Sequence, residues 1–313
     1  MNVAIVQQQP YHTEIFGCFL NYCSLNNIFV DIYFDHINDN TSYIDFYKNN
    51  FNMSDLKIFN FNDILVNHNN YKKIIFTTIP SDYSFDLNDT NINIFKIINP
   101  SKIILFCHLR EHYVHNVTNI SGTDLIKFND IEVIEPVFKL NHFVYNKKLS
   151  KNILILGNFY YKNKNDLLNN LEYFIKNNFT INIVSRKIIN NITNDIKIYN
   201  YIHTDQLIEL FYNTDYLLLL NKPNNIYHNN IMSGAVFQAL SFGIPIICDL
   251  EYHQIYNYPE SIVYKKSISE IIKIINNIDI DQYNYKKSII IDYVNKKIDY
   301  NNSILDNIIK NLQ

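Results

Sequence analysis

The sequence has no tryptophan and only 5 glycines among its 313 residues. Glycine averages about 7% of residues in proteins, so the few glycines that remain indicate backbone positions where a side chain does not fit. Long apolar runs are missing too, because stretches such as 217–220 are far too short to span a bilayer. The first residues show no signal-peptide pattern. We therefore expect a cytoplasmic protein without a transmembrane segment.

An excess of charge of either sign is also absent. Lysine and arginine total 27 and aspartate and glutamate total 30, which gives a net charge of −3. No basic stripe is visible, so we expect no nucleic-acid partner. The four cysteines form no C-x-x-C pair, and we expect them to be small buried apolar residues in a reducing compartment. The abundance of asparagine, isoleucine, lysine and tyrosine is typical of an AT-rich genome.

Short apolar runs alternate with segments of helix length along the whole chain. Many of the runs are continuous, as in strands that are buried on both faces of a parallel sheet. The pattern predicts an α/β protein with doubly wound sheets. The predicted strands are Val3–Val6, Ile28–Phe34, Lys57–Phe61, Lys73–Ile79, Lys102–Cys107, Ile131–Ile134, Asn152–Leu156, Ile181–Ser185, Ile196–Tyr201, Tyr216–Leu220 and Pro245–Cys248.

The strand–loop–helix–strand pattern starts twice, at Val3 and again at Asn152. Two starts predict two domains, with a boundary between Pro136 and Lys151. We assign residues 1–145 to an N-terminal Rossmann-like domain and residues 150–290 to a second one. Residues 291–313 form a C-terminal helix that we expect to pack back on the first domain. The helices predicted after Val263 are Ser267–Asn277, Gln282–Lys296 and Asn301–Asn311.

The rare glycines lie at informative positions. Gly157 follows the first strand of the second domain, where the chain must turn sharply. Gly234 follows Ser233, a good N-cap, and Gly243 follows the same helix as the residue expected in the left-handed conformation. Gly17 falls early in the first helix, where glycine costs about 1 kcal/mol relative to alanine. We expect a ligand or the opposite domain to approach closely at Gly17.

The helix that starts at Ser233 is a candidate anion site. Its first N–H groups and the positive end of its dipole could bind a diphosphate. Ala235 and Gln238 lie within its first turns. An ordinary capped helix that packs on a strand explains the same spacing equally well.

Residues 152–249 resemble the donor domain of GT-B glycosyltransferases, most closely those of family 4. The stretch 196–220 looks like the strand, short helix and next strand of that family. The stretch 238–247, Gln-Ala-Leu-Ser-Phe-Gly-Ile-Pro-Ile-Ile, is similar to its Glu-Ala-x-x-x-Gly-x-Pro-Val-Ile signature. The resemblance implies two Rossmann-like domains that face each other across a cleft. The first would bind the acceptor, and the second a nucleotide-diphosphate sugar.

The resemblance also implies roles for particular residues. The family has two glutamates where this chain has Asn230 and Gln238, and neutral amides can form hydrogen bonds but cannot supply a negative charge. His108 resembles the strand-end histidine that faces the cleft, and its usual pKa suits proton transfer. The donor-binding residues implied are Gly157, Lys164, Arg186, Asn230, Ser233, Gly234, Ala235 and Gln238. The acceptor or cleft residues implied are Gly17, Arg110, Glu111 and His112.

The resemblance implies glycosyl transfer to a glycan, lipid or protein acceptor with no metal and no cofactor beyond the nucleotide sugar. Asp279-Ile280-Asp281 lies between predicted helices, which disfavours a metal-dependent transferase. The absence of G-x-G-x-x-G after either first strand disfavours a nicotinamide dehydrogenase. Two alternatives remain open: a sugar-nucleotide epimerase, and a catalytically inactive binding or scaffold protein with the same fold.

Overall fold

The structure, a computed structural model, divides into two compact units. It describes residues 1–8, 15–34, 37–78, 84–87, 90–107, 114, 116–122, 131–143, 145, 148–156, 171–185, 196–200, 202–220, 234–265, 267 and 269–310. Unit 1 comprises Met1–Asn141, Asn230–Gly234 and Lys296–Gln313, and unit 2 comprises His142–Asn229 and Ala235–Asn295.

Unit 1 is built on a seven-stranded sheet in the order β3-β2-β1-β4-β7-β8-β9, in which every neighbouring pair is parallel. β5 and β6 form a separate antiparallel hairpin. The strands are β1 (Asn2–Gln7), β2 (Phe29–Phe34), β3 (Lys57–Asn60), β4 (Lys73–Phe76), β5 (Ser84–Leu87), β6 (Thr90–Asn93), β7 (Ile103–Cys107), β8 (Thr118–Ser121) and β9 (Glu132–Val133). The helices are α1 (Phe16–Leu25), α2 (Ile37–Asn50) and α3 (Ile64–Asn67).

Unit 2 has a six-stranded sheet in the order β12-β11-β10-β13-β14-β15, again parallel throughout. Its strands are β10 (Asn152–Leu156), β11 (Thr180–Val184), β12 (Ile196–Tyr199), β13 (Tyr216–Leu218), β14 (Ile246–Asp249) and β15 (Ile262–Tyr264). The helices that follow are α4 (Thr204–Tyr212), α5 (Gly234–Ser241), α6 (Leu250–Tyr256), α7 (Ser269–Asn276) and α8 (Ile280–Leu305), which ends in unit 1.

Both sheets have the strand order of a doubly wound Rossmann-type domain, in which the chain winds outward from the first strand and then reverses. All four residues of β4 and all five of β7 are buried, so both faces of these strands are covered. This burial explains why the strands appear in the sequence as continuous apolar runs. The α/β class with parallel sheets is confirmed.

Helix α5 ends in the way that its sequence predicts. Gly243 has a φ of +68°, its N–H donates to the Leu240 carbonyl (2.8 Å), and the Ile244 N–H donates to the Ala239 carbonyl (2.8 Å). These two bonds form a Schellman motif, which favours glycine at its left-handed position. A Cβ on Gly243 would also lie 2.8 Å from the Phe143 ring. The predicted left-handed glycine is confirmed.

One continuous helix, α8, replaces the two C-terminal helices predicted from the sequence. It runs from Ile280 to Leu305 and passes into a π-helical turn, Asp306–Lys310. The predicted break fell near residues 297–300, which include neither proline nor glycine. Buried residues continue through that region at helical spacing, and this continuous apolar side keeps the helix intact. They are Ile290, Val294, Ile298, Asn301 and Leu305.

The last part of the chain packs within unit 1. Asn301 donates from its amide nitrogen to the Glu135 carbonyl (2.6 Å), and Lys297 pairs with the Glu135 carboxylate. The Tyr22 hydroxyl on α1 donates to the Asp306 carboxylate (2.8 Å). These polar contacts, together with the buried Leu305 and Ile309, attach residues 296–310 to unit 1.

Within the described ranges, no helix is both long and apolar enough to cross a membrane. All four cysteines, Cys18, Cys23, Cys107 and Cys248, are buried and have free thiols, which confirms that they act as small apolar residues. Burial raises the pKa of each thiol, to about 12 for Cys107 and Cys248. They are therefore neutral and poorly nucleophilic at physiological pH.

Candidate functional site

The strand order locates a candidate ligand-binding edge in each unit. In doubly wound sheets, ligands bind beyond the carboxyl ends of the strands, where the strand order reverses. In unit 1 this point lies between β1 and β4, and in unit 2 between β10 and β13.

Helix α5, which lies in unit 2 from Ala235 onwards, starts at Gly234, directly after the predicted N-cap position. Gly234 and Ala235 are half-buried, whereas the Gln238 side chain is buried one turn further along. The Gln238 carbonyl accepts the Phe242 N–H (3.0 Å), as expected inside a helix. The start of α5 thus presents backbone N–H groups, which suit an anionic ligand.

Two other strand ends in unit 2 carry polar side chains. Ser185 follows β11 and is buried, and its N–H donates to the Tyr199 carbonyl (3.1 Å). Asp249 ends β14, and its carboxylate accepts the Tyr252 N–H (2.7 Å) as the N-cap of α6. Asp249 therefore has a capping role, which a serine or asparagine could also fill.

Most of the site residues predicted from the sequence lie outside the described residues, and their assignments remain predictions. They are His108, Arg110, Glu111, His112, Gly157, Lys164, Arg186, Asn230 and Ser233. Four of them are adjacent in the chain to a described strand end or helix start. His108 follows Cys107 of β7, Gly157 follows Leu156 of β10, Arg186 follows Ser185, and Ser233 precedes Gly234.

Unit 1 has a buried polar cluster at its carboxyl edge that the sequence analysis missed. Gln7 ends β1, and its side-chain oxygen accepts a hydrogen bond from the Thr77 hydroxyl (2.8 Å) just after β4. The Gln8 N–H donates to the Thr78 hydroxyl (3.2 Å), and Ser121 ends β8. Gln7, Thr77 and Ser121 are fully buried. The sequence signal that could have revealed this cluster is a polar residue at the end of a buried strand. That signal occurs on three strands of unit 1.

This cluster consists of amide and hydroxyl groups, each of which can both donate and accept hydrogen bonds. The hydrogen bond between the Thr77 hydroxyl and the Gln7 side-chain oxygen holds both side chains in place where the strand order reverses. Burial raises the pKa of the neighbouring Cys107 thiol to about 12, so that thiol contributes no charge.

Gly17 has a packing explanation. A Cβ at this position would lie 2.5 Å from Cδ1 of Phe138 and 3.0 Å from Cε1 of Tyr47. The expected close approach is therefore made by two aromatic rings of unit 1, which cross at 5.3 Å between centroids. A role for Gly17 in binding an acceptor remains a prediction that this packing does not require.

Replacing Gly17 by alanine is expected to destabilise the protein by about 1–3 kcal/mol, because the new methyl group overpacks the core against the Phe138 ring. Thermal unfolding measures the effect. The Gly17→Ala/Phe138→Leu double variant should recover part of the loss. A stabilised Gly17→Ala variant, as helix propensity alone predicts, would contradict the packing explanation.

Solved structures with the same fold span nearly the whole chain. One is an alpha-glucosyltransferase in complex with UDP and a 13-mer DNA containing an HMU base (TM-score 0.68, 12% identity, 99% of each chain covered). Another is HepE of Anabaena in complex with UDP-glucose (TM-score 0.60, 10% identity, 100% of each chain covered). The chain has a two-domain GT-B fold. No family model and no curated protein matches the sequence.

At identities of 10–12%, the structural similarity establishes the GT-B fold and nothing finer. A fold of this kind is shared by proteins of different chemistry, so an activity has to be argued from the site. The UDP, UDP-glucose and DNA in those crystals belong to the proteins that were solved with them.

Proposed function

We propose that this chain is a hexosyltransferase that uses a UDP-sugar donor and has a donor domain of the family 4 type. The observation that carries the proposal is helix α5, which starts at Gly234, follows β13 in the chain of a doubly wound sheet, and has Gly234 and Ala235 half-buried in its first turn. Two further findings support it: the signature-like stretch 238–247, and a fold shared with proteins that were crystallised with UDP or UDP-glucose.

In this proposal the diphosphate binds at the start of α5, where Ser233, Gly234 and Ala235 offer backbone N–H groups. Lys164 and Arg186 supply positive charge to the leaving nucleotide, and this charge takes the place of a metal ion. Gly157 lets the chain turn away from the end of β10 close to the nucleotide. Gln238 and Asn230 form hydrogen bonds with the ribose and the sugar hydroxyls.

His108 takes or positions a proton in this proposal, and Arg110, Glu111 and His112 contact the acceptor. We propose a neutral, hydroxylated acceptor such as a glycan. The net charge of −3 disfavours a nucleic acid. We further propose that the protein acts in the cytoplasm.

Calorimetry with UDP, GDP, ADP and CMP, with EDTA present, tests the donor site. We expect selective binding of UDP. In the Ser233→Ala/Lys164→Ala variant, affinity should fall by about a hundredfold, because the variant loses the Lys164 hydrogen bond to a charged phosphate, about 1.5–3 kcal/mol, and the Ser233 cap that orders the first N–H groups of α5, about 1 kcal/mol. The matched control Ser269→Ala/Lys273→Ala, on helix α7, should bind UDP normally. If none of the four nucleotides binds, the fold serves interaction rather than transfer.

A second assay tests catalysis. Release of UDP from UDP-glucose, in EDTA, should increase when a suitable glycan acceptor is added and should not increase with duplex DNA. The His108→Ala variant should retain UDP affinity and lose this activity. Stimulation by DNA alone would overturn the proposed acceptor class, and conversion of the free sugar nucleotide to an epimer would favour an epimerase.

A further inference from the structure

A cavity in unit 1 lies on the face of the sheet formed by the outer strands β2 and β3. Its volume is about 430 Å³, within the range of small-molecule sites. It reaches Asn2, at the amino end of β1, whereas Gln7 of the carboxyl-edge cluster ends the same strand. The two residues are five positions apart along the strand, which separates them by about 16 Å. The residues that line the cavity are Asn2, Asp31, Tyr33, Phe59, Asn67, Asn70 and Tyr71.

A chain of hydrogen bonds holds the Asp31 carboxylate in place within this cavity. The Tyr71 hydroxyl donates to Oδ2 of Asp31 (2.6 Å), and the Tyr33 and Tyr71 hydroxyls are 2.7 Å apart. Since Tyr71 has one hydroxyl proton and gives it to Asp31, Tyr33 must donate to Tyr71. Both tyrosines are buried, and burial raises the pKa of each, which keeps them protonated. The carboxylate is thus oriented before any ligand binds.

One carboxylate oxygen of Asp31 remains available. Oδ2 accepts from Tyr71, while neither a hydrogen bond to Oδ1 nor an ion pair to Asp31 is formed by the part of the chain that the structure describes. Asp31 itself is only half-buried. A carboxylate that is fixed by one oxygen and open at the other is a strong acceptor for a hydroxyl or N–H group of a ligand.

The other residues of the cavity narrow the class of ligand. Asn2 and Asn70 present amides, which both donate and accept and so match hydroxyl groups, whereas the Asn67 side chain bonds to the Tyr33 hydroxyl. Phe59 is half-buried and stacks on Tyr33 (5.2 Å between centroids, planes 20° apart), so the wall also has a rigid aromatic surface. Aromatic faces carry partial negative charge and attract the C–H groups of a polar ring. An anionic ligand would be repelled by Asp31.

We propose that this cavity binds one saccharide ring, with vicinal hydroxyls on Asp31 and the asparagine amides and a C–H face on Phe59. The proposal goes beyond the proposed function, because the cavity reaches the amino end of β1, about 16 Å from Gln7 at the carboxyl edge of unit 1. It would allow the protein to hold a glycan at a second point on unit 1. A simple ammonium ligand is the competing class, but it would leave the amide N–H donors without partners.

Ligand-observed NMR titrations with glucose, galactose, mannose and choline, performed with UDP and without it, test the proposal. We expect at least one sugar to bind with a Kd of about 1–10 mM. Asp31→Asn keeps an acceptor for Tyr71 and removes the charge, so it should weaken binding about tenfold. The control Asp55→Asn, an exposed carboxylate of the same unit, should have no effect.

UDP affinity is measured on the same variants, so that this site and the donor site are assessed independently. The exposed Asn70→Ala variant provides a second test if Asp31→Asn fails to fold. Unchanged sugar binding in a folded variant of either kind overturns the proposal. It is also overturned if no sugar binds at about 100 mM, or if choline binds in an Asp31-dependent manner and sugars do not.

Discussion

Replacing Asp215 by alanine is expected to lower the free energy of unfolding by about 3–5 kcal/mol, the usual result of removing one partner from a buried charged pair. Asp215 is 1% exposed, at the start of β13. Its Oδ2 accepts the Asn152 N–H (2.9 Å), and its charge interacts with the buried Lys287. The substitution leaves an uncompensated ammonium group and backbone donors without an acceptor. Urea unfolding followed by circular dichroism measures the loss.

Asp215 also organises the backbone around it. Its N–H donates to the Asn152 carbonyl (2.9 Å), and its own carbonyl accepts from the Tyr283 hydroxyl (2.8 Å) on α8. Backbone N–H groups of Ser150 and Lys151 also bond to its carboxylate. One side chain therefore ties the start of the unit 2 sheet to the segment that precedes β10. Asp215→Asn keeps one carbonyl oxygen as an acceptor for these N–H groups, so it should cost less than Asp215→Ala.

Two control variants show which interactions cause the loss of stability in Asp215→Ala. Asp205→Ala removes an exposed carboxylate from the first turn of α4 and should cost under about 1 kcal/mol. The Asp215→Ala/Lys287→Met variant should be more stable than Asp215→Ala alone, since the unpaired buried charge has gone. Equal stabilities of Asp215→Ala and Asp205→Ala would show that the buried pair has no such role.

Strands that are buried on both faces could be predicted from the sequence. β10 was predicted as Asn152–Leu156 and has those bounds, and β7 differs from its prediction by one residue. In these strands the apolar run coincides with the buried segment, so local composition carries the whole signal. The Gly243 cap was predictable for a similar reason, since a left-handed position strongly favours glycine.

Elements that depend on distant partners could not be predicted in this way. β8 (Thr118–Ser121) looks polar, yet it pairs with β7 and its Asn119 amide donates to the Val114 carbonyl (2.7 Å). β15 has three residues and depends on its pairing with β14. Helix α2 has too many polar residues for an apolar side to stand out in the sequence. In each case tertiary contacts outweigh local propensity.

The candidate sites also include one that the local sequence predicts and others that only tertiary contacts bring together. Helix α5 was predictable because Ser233 and Gly234 mark its start in the sequence and Gly243 marks its end. The bond between Gln7 and Thr77 joins residues 70 positions apart, so only the parallel pairing of β1 with β4 brings them together. The cavity at Asp31 likewise combines residues from three strands and the segment around α3, and no spacing in the sequence marks it.

Raising the pH from about 8 to 10.5 is expected to stabilise the wild-type protein relative to Lys287→Met by up to roughly 3 kcal/mol. Burial lowers the pKa of Lys287 from 10.5 to about 8, although the Asp215 charge opposes that shift. Between these values the unfolded chain binds a proton that the folded protein does not, so the free energy of unfolding rises with pH. Below about pH 8 the buried ammonium reduces stability.

The comparison with Lys287→Met separates the effect of Lys287 titration on stability from the effect of tyrosine titration. Burial raises the pKa of Tyr216 and Tyr252, so ionisation of these hydroxyls in the unfolded state at high pH lowers stability in both proteins alike. Lys287 lies over the Phe143 ring (5.0 Å), and methionine can occupy the same apolar space. Urea unfolding at pH 7, 8, 9 and about 10 gives the difference at each pH. A stability difference between the two proteins that does not change with pH would mean that Lys287 stays protonated in the folded protein throughout this range. A stability difference that falls as the pH rises would mean that Asp215 raises the pKa of Lys287 above its value in the unfolded chain.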